Sequence, residues 1–166
     1  MQGMEKKKYF PIFIDLSEKK IVVIGGGTIA GRRINTLCHF CDHVLVVAPE
    51  VTPVVEELVQ QEKVTWIRAA YDRSYLTDAS LVVAATDHTQ VNHQVKADCL
   101  ELEKEQNRQI FVSVADDKNL CDFYFPSIVQ DEEMVIGINS GGASPHRTKE
   151  VRQEIEKLLE KKSIYQ

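Results

Sequence analysis

The chain has no apolar run that approaches the roughly 18 residues a membrane helix needs. It has only four cysteines among 166 residues, too few for the dense disulfide framework of a small secreted protein. Basic residues are outnumbered, because 20 lysines and arginines stand against 25 aspartates and glutamates. We therefore expect a cytoplasmic protein that binds neither nucleic acid nor membranes and holds any anionic ligand in a local site.

The composition is that of an ordinary globular protein. Hydrophobic residues make up 43% of the sequence and charged residues 27%, which excludes the disordered and collagen-like classes. A chain of this length buries about two thirds of its unfolded surface. We expect one domain, or one domain with an appendage, whose core needs no disulfide or metal.

Short, nearly continuous apolar runs alternate with amphipathic segments. Such runs are typical of strands that are covered on both faces of a parallel sheet. The runs lie at residues 21–24, 44–48, 64–67, 81–85 and 110–114, and the segments that predict helices lie at 28–40, 52–61 and 89–105. This order predicts an α/β fold with a Rossmann-like, doubly wound parallel sheet.

After residue 115 the pattern changes. Two further strands are predicted at 123–128 and 134–138, followed by a last helix that ends near residue 161. These elements are too small to form a core of their own. We therefore divide the chain into a Rossmann domain, residues 1–114, and a small C-terminal strand-and-helix extension, residues 115–166, that extends the sheet or pairs with a second subunit.

A glycine-rich turn follows the first strand. Gly25, Gly27 and Ala30 fit the pattern G-x-G-x-x-A between a strand and a helix, which is the context of a dinucleotide-binding turn. In that context Gly25 permits the tight turn, Gly27 lets a pyrophosphate approach the helix N-terminus, and Ala30 lets the helix pack closely. The alternative is that the glycines only join a strand to a helix.

The same pattern requires an acidic residue near the end of the second strand, about 20 residues further on. Glu50 occupies that place. A carboxylate there binds the ribose hydroxyls and repels a 2′-phosphate, so the sequence predicts NAD rather than NADP as the cofactor. The alternative is that Glu50 only favours the start of the next helix.

Several segments, spread from about Tyr9 to Leu159, occur in an order and combination that is specific. They are PIF at 11–13, VIGGGTIAGRR at 23–33, VAPE at 47–50, AATD at 84–87, VN at 91–92, CDFYFPSI at 121–128 and SGGASP at 140–145. In these the chain resembles the precorrin-2 dehydrogenase family, the N-terminal module of siroheme synthase. The resemblance implies NAD-dependent oxidation of precorrin-2 to sirohydrochlorin in siroheme (tetrapyrrole) biosynthesis. It also implies a homodimer whose later strands and helices form the dimer contact and line the active cleft.

The resemblance further implies roles for individual residues. The family's NAD contacts fall on the glycine turn, on Thr28, Ile29, Pro49 and Glu50, and on Thr86 in the segment 85–87. Its key aspartate falls on Asp116, and its hydroxyl before paired glycines on Ser140. Asp116 follows a strand at the carboxyl edge of the sheet, where its carboxylate can accept the proton released in the oxidation. It could equally orient substrate, hold a metal or only bond its own turn, and Asp117 is the alternative carboxylate.

The implied substrate carries many carboxylates, which an acidic protein must bind through local cations. The candidates are Arg32 and Arg33 in the first helix and His146, Arg147 and Lys149 in the last. The turn of Ser140, Gly141 and Gly142 resembles a second anion-binding loop with free backbone N–H groups. The alternative is solvated surface charge with ordinary capping of the last helix by Ser144 and Pro145.

The chain also departs from the family. Ser113 stands where members commonly carry Asn, and many members continue into a C-terminal domain of several helices, whereas one helix is predicted here. Iron insertion into sirohydrochlorin therefore stays an open alternative, as does a non-catalytic NAD-sensing module. We expect no metal site, because Cys38 and Cys41 end the first helix, Cys38 in its core and Cys41 near its cap, without a second ligand pair.

Overall fold

The structure, a computed structural model, describes residues 9–163, with side chains up to residue 160. Residues 1–8 and 164–166, which the predicted domain ranges include, lie outside the described residues. The chain divides into two compact units, the first ending at Phe123 and the second beginning at Tyr124. The boundary that the sequence predicts, between residues 114 and 115, lies earlier in the chain.

The first unit is built on five parallel strands in the order β3-β2-β1-β4-β5. The strands are β1 (Ile21–Ile24), β2 (Val44–Val47), β3 (Val64–Ile67), β4 (Leu81–Ala84) and β5 (Phe111–Val114). The helices are α1 (Thr28–Leu37), α2 (Pro53–Gln60) and α3 (Thr89–Gln106). Short 3₁₀ turns lie at Arg73–Leu76 and Lys118–Leu120. The predicted Rossmann-like doubly wound sheet is confirmed.

The sequences of β1 and β4 lack polar alternation because of the place of these strands within the sheet. Every residue of β1 and β4 is buried, because helices cover both faces of the sheet. On one face, residues such as Val22, Val82 and Val112 pack in one cluster with Val95 and Cys99 of α3. The strand order reverses between β1 and β4, and the carboxyl ends of strands at such a switch point form the crevice where open α/β sheets bind ligands.

The end of α1 differs from the prediction. The helix ends at Leu37, and the amides of His39 and Cys41 bond to Thr36 and Leu37 in a tight turn. This turn carries Cys41 inward, so that it is buried while Cys38 is only half-buried. The expectation that Cys38 is the core residue of the pair is therefore wrong. Burial raises the pKa of the Cys41 thiol to about 11, which makes it a poor nucleophile at neutral pH.

The second unit is a two-stranded hairpin followed by a long helix. Strand β6 (Ser127–Gln130) pairs antiparallel with β7 (Val135–Ile138), and α4 (Pro145–Ser163) follows. Strand β6 begins after Pro126, later than predicted, because proline has no N–H to donate to a ladder. Among the described side chains of this unit, only Val129 is buried. No helix within residues 9–163 is long and apolar enough to cross a membrane.

Candidate functional site at the carboxyl edge of the sheet

The turn between β1 and α1 contains two glycines with different requirements. Gly25 has φ +114°, and a Cβ placed on it would lie 2.4 Å from the carbonyl oxygen of Ala85. Only glycine fits there. Gly27 has φ −73° in an extended conformation, and nothing lies within 4 Å of its Cβ position. The space in front of Gly27 is therefore open for a ligand.

The first turn of α1 suits an anion. Gly27 is the N-cap, and no side chain caps the helix. The amides of Thr28, Ile29 and Ala30 precede the first intrahelical bond, from Gly31 to Gly27, so they are donors without helical partners. The exposed Thr28 and Ile29 border the open space, whereas Ala30 is wholly buried against the sheet. Free N–H groups and the helix dipole together favour a phosphate at this point.

Two further glycines hold the turn against α2, a role that the sequence pattern does not predict. A Cβ on Gly26 would lie 2.3 Å from the carbonyl oxygen of Glu50. One on Gly31 would lie 3.2 Å from Oγ1 of Thr52. The amide of Thr52 also donates to the carbonyl oxygen of Gly26 at 3.0 Å. This packing places the exposed Pro49 and Glu50, which follow β2, next to the glycine turn.

Thr86, after β4, is tied to Asp116, after β5, by a buried asparagine. Asn92 of α3 is fully buried. Its Oδ1 accepts hydrogen bonds from the amide and the hydroxyl of Thr86, at 3.0 and 2.8 Å. Its Nδ2 donates to the carbonyl oxygen of Thr86 and to Oδ1 of Asp116, both at 3.0 Å. Asn92 therefore fixes both strand ends. The amide, hydroxyl and carbonyl groups of Thr86 all form hydrogen bonds within the chain.

Asn92 is a residue that sequence reasoning missed as a component of the site. A signal was present, because it continues the apolar face of α3 that Val95, Cys99 and Leu102 form. A polar residue on a buried face must find hydrogen-bond partners. The sequence alone does not say which partners these are.

Asp116 is exposed but held in place. Its Oδ2 accepts a 2.6 Å bond from the hydroxyl of Thr89, in addition to the bond from Asn92. Partial burial by itself raises the pKa of Asp116, but these two hydrogen bonds and the nearby His93 outweigh it, so the pKa lies below the usual aspartate value. Asp116 is therefore a carboxylate at neutral pH. Its neighbour Asp117 instead accepts a 2.9 Å bond from the amide of Asn119 and caps the short 3₁₀ turn.

The two arginines of α1 face different surroundings. Arg32 is exposed. Arg33 turns toward the sheet, where its Nη1 donates to the buried hydroxyl of Ser113 at 3.3 Å, and burial lowers its pKa. Of these two candidates for a solvent-facing cation, the structure leaves Arg32 in solvent.

In the second unit, Gly141 and Gly142 both have left-handed backbone conformations, with φ +65° and +74°. The amide of Gly141 bonds to Oδ1 of Asn139 at 2.6 Å, and Oγ of Ser140 accepts from the amide of Ser144 at 3.2 Å. Several N–H groups of this turn are thus used internally.

The start of the last helix agrees with the alternative to an anion-binding loop, in which Ser144 and Pro145 cap the helix. Oγ of Ser144 accepts a 3.3 Å bond from the amide of Arg147, and the helix begins at Pro145. Arg147 is exposed on the first turn of α4. Among residues that the structure describes, no group of three histidine, cysteine or acidic side chains is arranged to hold a metal ion.

Comparison with known proteins gives three findings. The model of a family described as "Putative NAD(P)-binding" matches residues 12–127. Siroheme synthase of Mannheimia succiniciproducens is 36% identical over 151 residues, which cover 91% of this chain and 30% of that protein. Siroheme synthase of a Psychrobacter species is 36% identical over 150 residues, covering 90% and 30% respectively. The chain thus spans about a third of the length of these curated relatives.

A solved structure is similar over most of both chains. SirC, a precorrin-2 dehydrogenase, superimposes with a TM-score of 0.72 at 26% sequence identity, covering 90% of this chain and 70% of its own. The resemblance that the sequence segments predict is confirmed by these relatives.

Proposed function

Because this chain belongs to the NAD(P)-binding family that its residues 12–127 match, we propose that it is an NAD-dependent dehydrogenase that oxidises precorrin-2 to sirohydrochlorin. One observation carries the proposal. An uncapped helix N-terminus and a fixed carboxylate, Asp116, lie at one edge of the sheet, in a chain similar over nine tenths of its length to a precorrin-2 dehydrogenase. The first feature suits a dinucleotide pyrophosphate and the second a proton acceptor.

The residues at this edge fit a nicotinamide dinucleotide. The open space at Gly27 and the free amides of Thr28 and Ile29 would hold the pyrophosphate. Pro49 and Glu50 would meet the adenosine ribose, with the carboxylate bonding its hydroxyls. The loop after β4, which the hydrogen bonds of Thr86 fix, would border the other side of the cofactor. When bound, the cofactor accepts a hydride.

Oxidation of precorrin-2 removes two hydrogens from the macrocycle, one as a hydride with its electron pair and one as a proton. Asp116 is proposed to take that proton, directly or through water. The hydrogen bonds from Thr89 and Asn92 support this by holding the carboxylate ionised and oriented. A lowered pKa also makes Asp116 a weak base, so its contribution belongs to the lower part of the range for general bases.

The carboxylates of the substrate require cations and N–H donors. In the first unit we assign this task to Arg32, which is exposed. In the second unit we assign it to Arg147 and to the turn of Ser140, Gly141 and Gly142. The internal bonds of that turn leave fewer free N–H groups than the sequence suggests, so Arg147 carries more of the proposed binding.

The remaining proposals concern cofactor choice, assembly and location. NAD is proposed in preference to NADP, because Glu50 places negative charge beside the ribose. A homodimer is proposed because the second unit buries one side chain among those described. A reducing cytoplasm is proposed because all four cysteines are free thiols.

The test is turnover without oxygen. The protein is mixed with precorrin-2 and NAD, and the absorbance of sirohydrochlorin is followed, with parallel reactions that lack NAD or protein. The proposal expects sirohydrochlorin only in the complete mixture. NAD binding without turnover would instead support the sensing module. Adding ferrous iron to the product tests for iron insertion, since a chelatase would convert it to siroheme faster than the protein-free control.

A further inference from the structure

Arg68 lies immediately after β3, at the edge of the sheet where β2 also ends. Its Nε donates a 3.2 Å hydrogen bond to the carbonyl oxygen of Pro49. Its guanidinium carbon lies 5.8 Å from the centroid of the Trp66 ring, a cation–π contact. Trp66 is itself held, because its Nε1 donates to the carbonyl oxygen of Ala48 at 2.9 Å. An exposed guanidinium is thereby oriented by two contacts.

The terminal nitrogens of Arg68 have no acidic partner within the part of the chain that the structure describes. Arg73, by contrast, is paired with Glu101 and Glu105. Arg68 therefore combines a fixed orientation with two terminal nitrogens whose N–H groups are uncommitted. This arrangement suits a phosphate group, which a planar guanidinium can bind through two parallel hydrogen bonds.

The position of Arg68 indicates which phosphate this is. Val47 and Ile67 are paired in register, so the residues that follow β2 and β3 leave the sheet side by side. Arg68 is bonded to Pro49, the residue before Glu50. In dinucleotide-binding folds this corner reads the 2′ position of the adenosine ribose, where an acid favours NAD and an arginine accommodates the phosphate of NADP.

We propose that Arg68 is a cofactor-selectivity residue that takes the 2′-phosphate of NADP, opposing Glu50. The proposal rests on the dinucleotide site of the proposed function. Glu50 repels the phosphate and Arg68 attracts it, so the protein binds NADP measurably and prefers NAD by a modest factor. Removing the carboxylate of Glu50 therefore shifts cofactor preference toward NADP, and removing the guanidinium of Arg68 shifts it further toward NAD.

Calorimetric titration of the full chain with NAD and with NADP, at low salt, tests this. In Arg68→Met, the methionine side chain still covers Trp66. We expect NADP affinity to fall about tenfold, because one charge-assisted hydrogen bond to the phosphate is lost. NAD affinity should change little. Lys63→Met is the matched control. It also removes one positive charge, but Lys63 lies at the opposite end of the same strand. It should change neither affinity.

The opposing charge gives a second arm. Glu50→Gln should raise NADP affinity about tenfold, and the added substitution Arg68→Met should abolish that gain. Equal effects of Arg68→Met on both cofactors, or no effect on either, overturn the selectivity role while the dinucleotide site stands. If the parent binds neither cofactor, the proposed function fails and this inference with it.

A third arm uses salt. Added salt should weaken NADP binding more in the parent than in Arg68→Met, because salt screens the attraction between the 2′-phosphate and an exposed cation that only the parent has, while Glu50 is the same in both proteins. Identical salt dependence of NADP affinity in the two proteins would also overturn the proposal.

Discussion

Gly25 and Gly27 belong to one sequence pattern but have different physical tasks. Gly25 is required by the fold, since its φ is positive and its Cβ would overlap the backbone of Ala85. Gly27 adopts a backbone conformation open to any residue and faces empty space. We attribute the absence of a side chain there to the proposed dinucleotide. The sequence predicts that Gly25 permits the tight turn and that Gly27 lets a pyrophosphate approach, and the structure adds the positive φ and the close approach of Ala85 that make glycine necessary at the first position.

A pair of substitutions tests this separation. Gly25→Ala should lower the free energy of unfolding by about 2 kcal/mol or more, from strain and overlap. Gly27→Ser should stay within about 0.5 kcal/mol of the parent, because serine is a good N-cap. Yet Gly27→Ser should bind NAD more weakly, since its hydroxyl occupies the open space and bonds the free amides. Urea unfolding and calorimetric titration measure the two effects, and undiminished NAD binding by Gly27→Ser would contradict the assignment.

Asp116 is the residue on which the proposed chemistry depends. Asp116→Asn keeps the size of the side chain and an acceptor for Asn92 and Thr89, but it removes the basic charge. We expect folding and NAD affinity like the parent, and a rate of precorrin-2 oxidation lower by about 10²–10⁴-fold, nearer the lower figure because the pKa is depressed. Steady-state rates under anaerobic conditions measure this.

Asp117→Asn is the control for Asp116→Asn, because Asp117 keeps an acceptor for the amide of Asn119 after the change. It should lose far less activity. A parental rate in Asp116→Asn would mean that Asp116 has a structural role only. Loss of NAD affinity in that variant would mean that it supports the cofactor site rather than proton transfer.

At the scale of elements, α3 joins the ends of β4 and β5 through Asn92. Removing this side chain in Asn92→Ala leaves the amide and the carbonyl oxygen of Thr86 without their partner in a partly buried place, whereas the hydroxyl keeps its 3.1 Å bond to the carbonyl oxygen of His88. We expect a loss of roughly 2–3 kcal/mol in the free energy of unfolding. Thr89→Val removes one exposed bond to Asp116 and should cost under about 1 kcal/mol. Equal losses in chemical denaturation would show that Asn92 does not fix the two strand ends.

The elements also show what the sequence can predict. Strands β1 and β3 begin and end where the sequence predicts. Strand β1 is buried throughout and contains no polar residue, whereas β3, at the edge of the sheet, carries the exposed Thr65 between apolar residues. Helix α1 ends earlier than the sequence predicts, because the turn that buries Cys41 depends on backbone bonds that hydrophobic periodicity does not encode. The Asn92 network was missed for the same reason. Its partners are distant in sequence and become neighbours only in the folded sheet.

At the scale of the whole molecule, the little burial within the second unit supports the proposed homodimer. Val129 is its one buried side chain among those described, and Leu158 of α4 is 60% exposed. A hairpin and one helix cannot bury enough apolar surface to be stable alone. Static light scattering at micromolar concentration should therefore give about twice the 18.9 kDa of the chain. A monomer at micromolar concentration would contradict the proposed dimer.

The proposed reaction moves a hydride from a tetrapyrrole to NAD. The most direct measurement quantifies NADH and sirohydrochlorin together in one oxygen-free reaction of the protein, precorrin-2 and NAD. We expect the two products to appear in equal molar amounts and at the same rate, and neither to appear when NAD is omitted. Sirohydrochlorin formed without matching NADH, or no product at all with NAD bound, would contradict it.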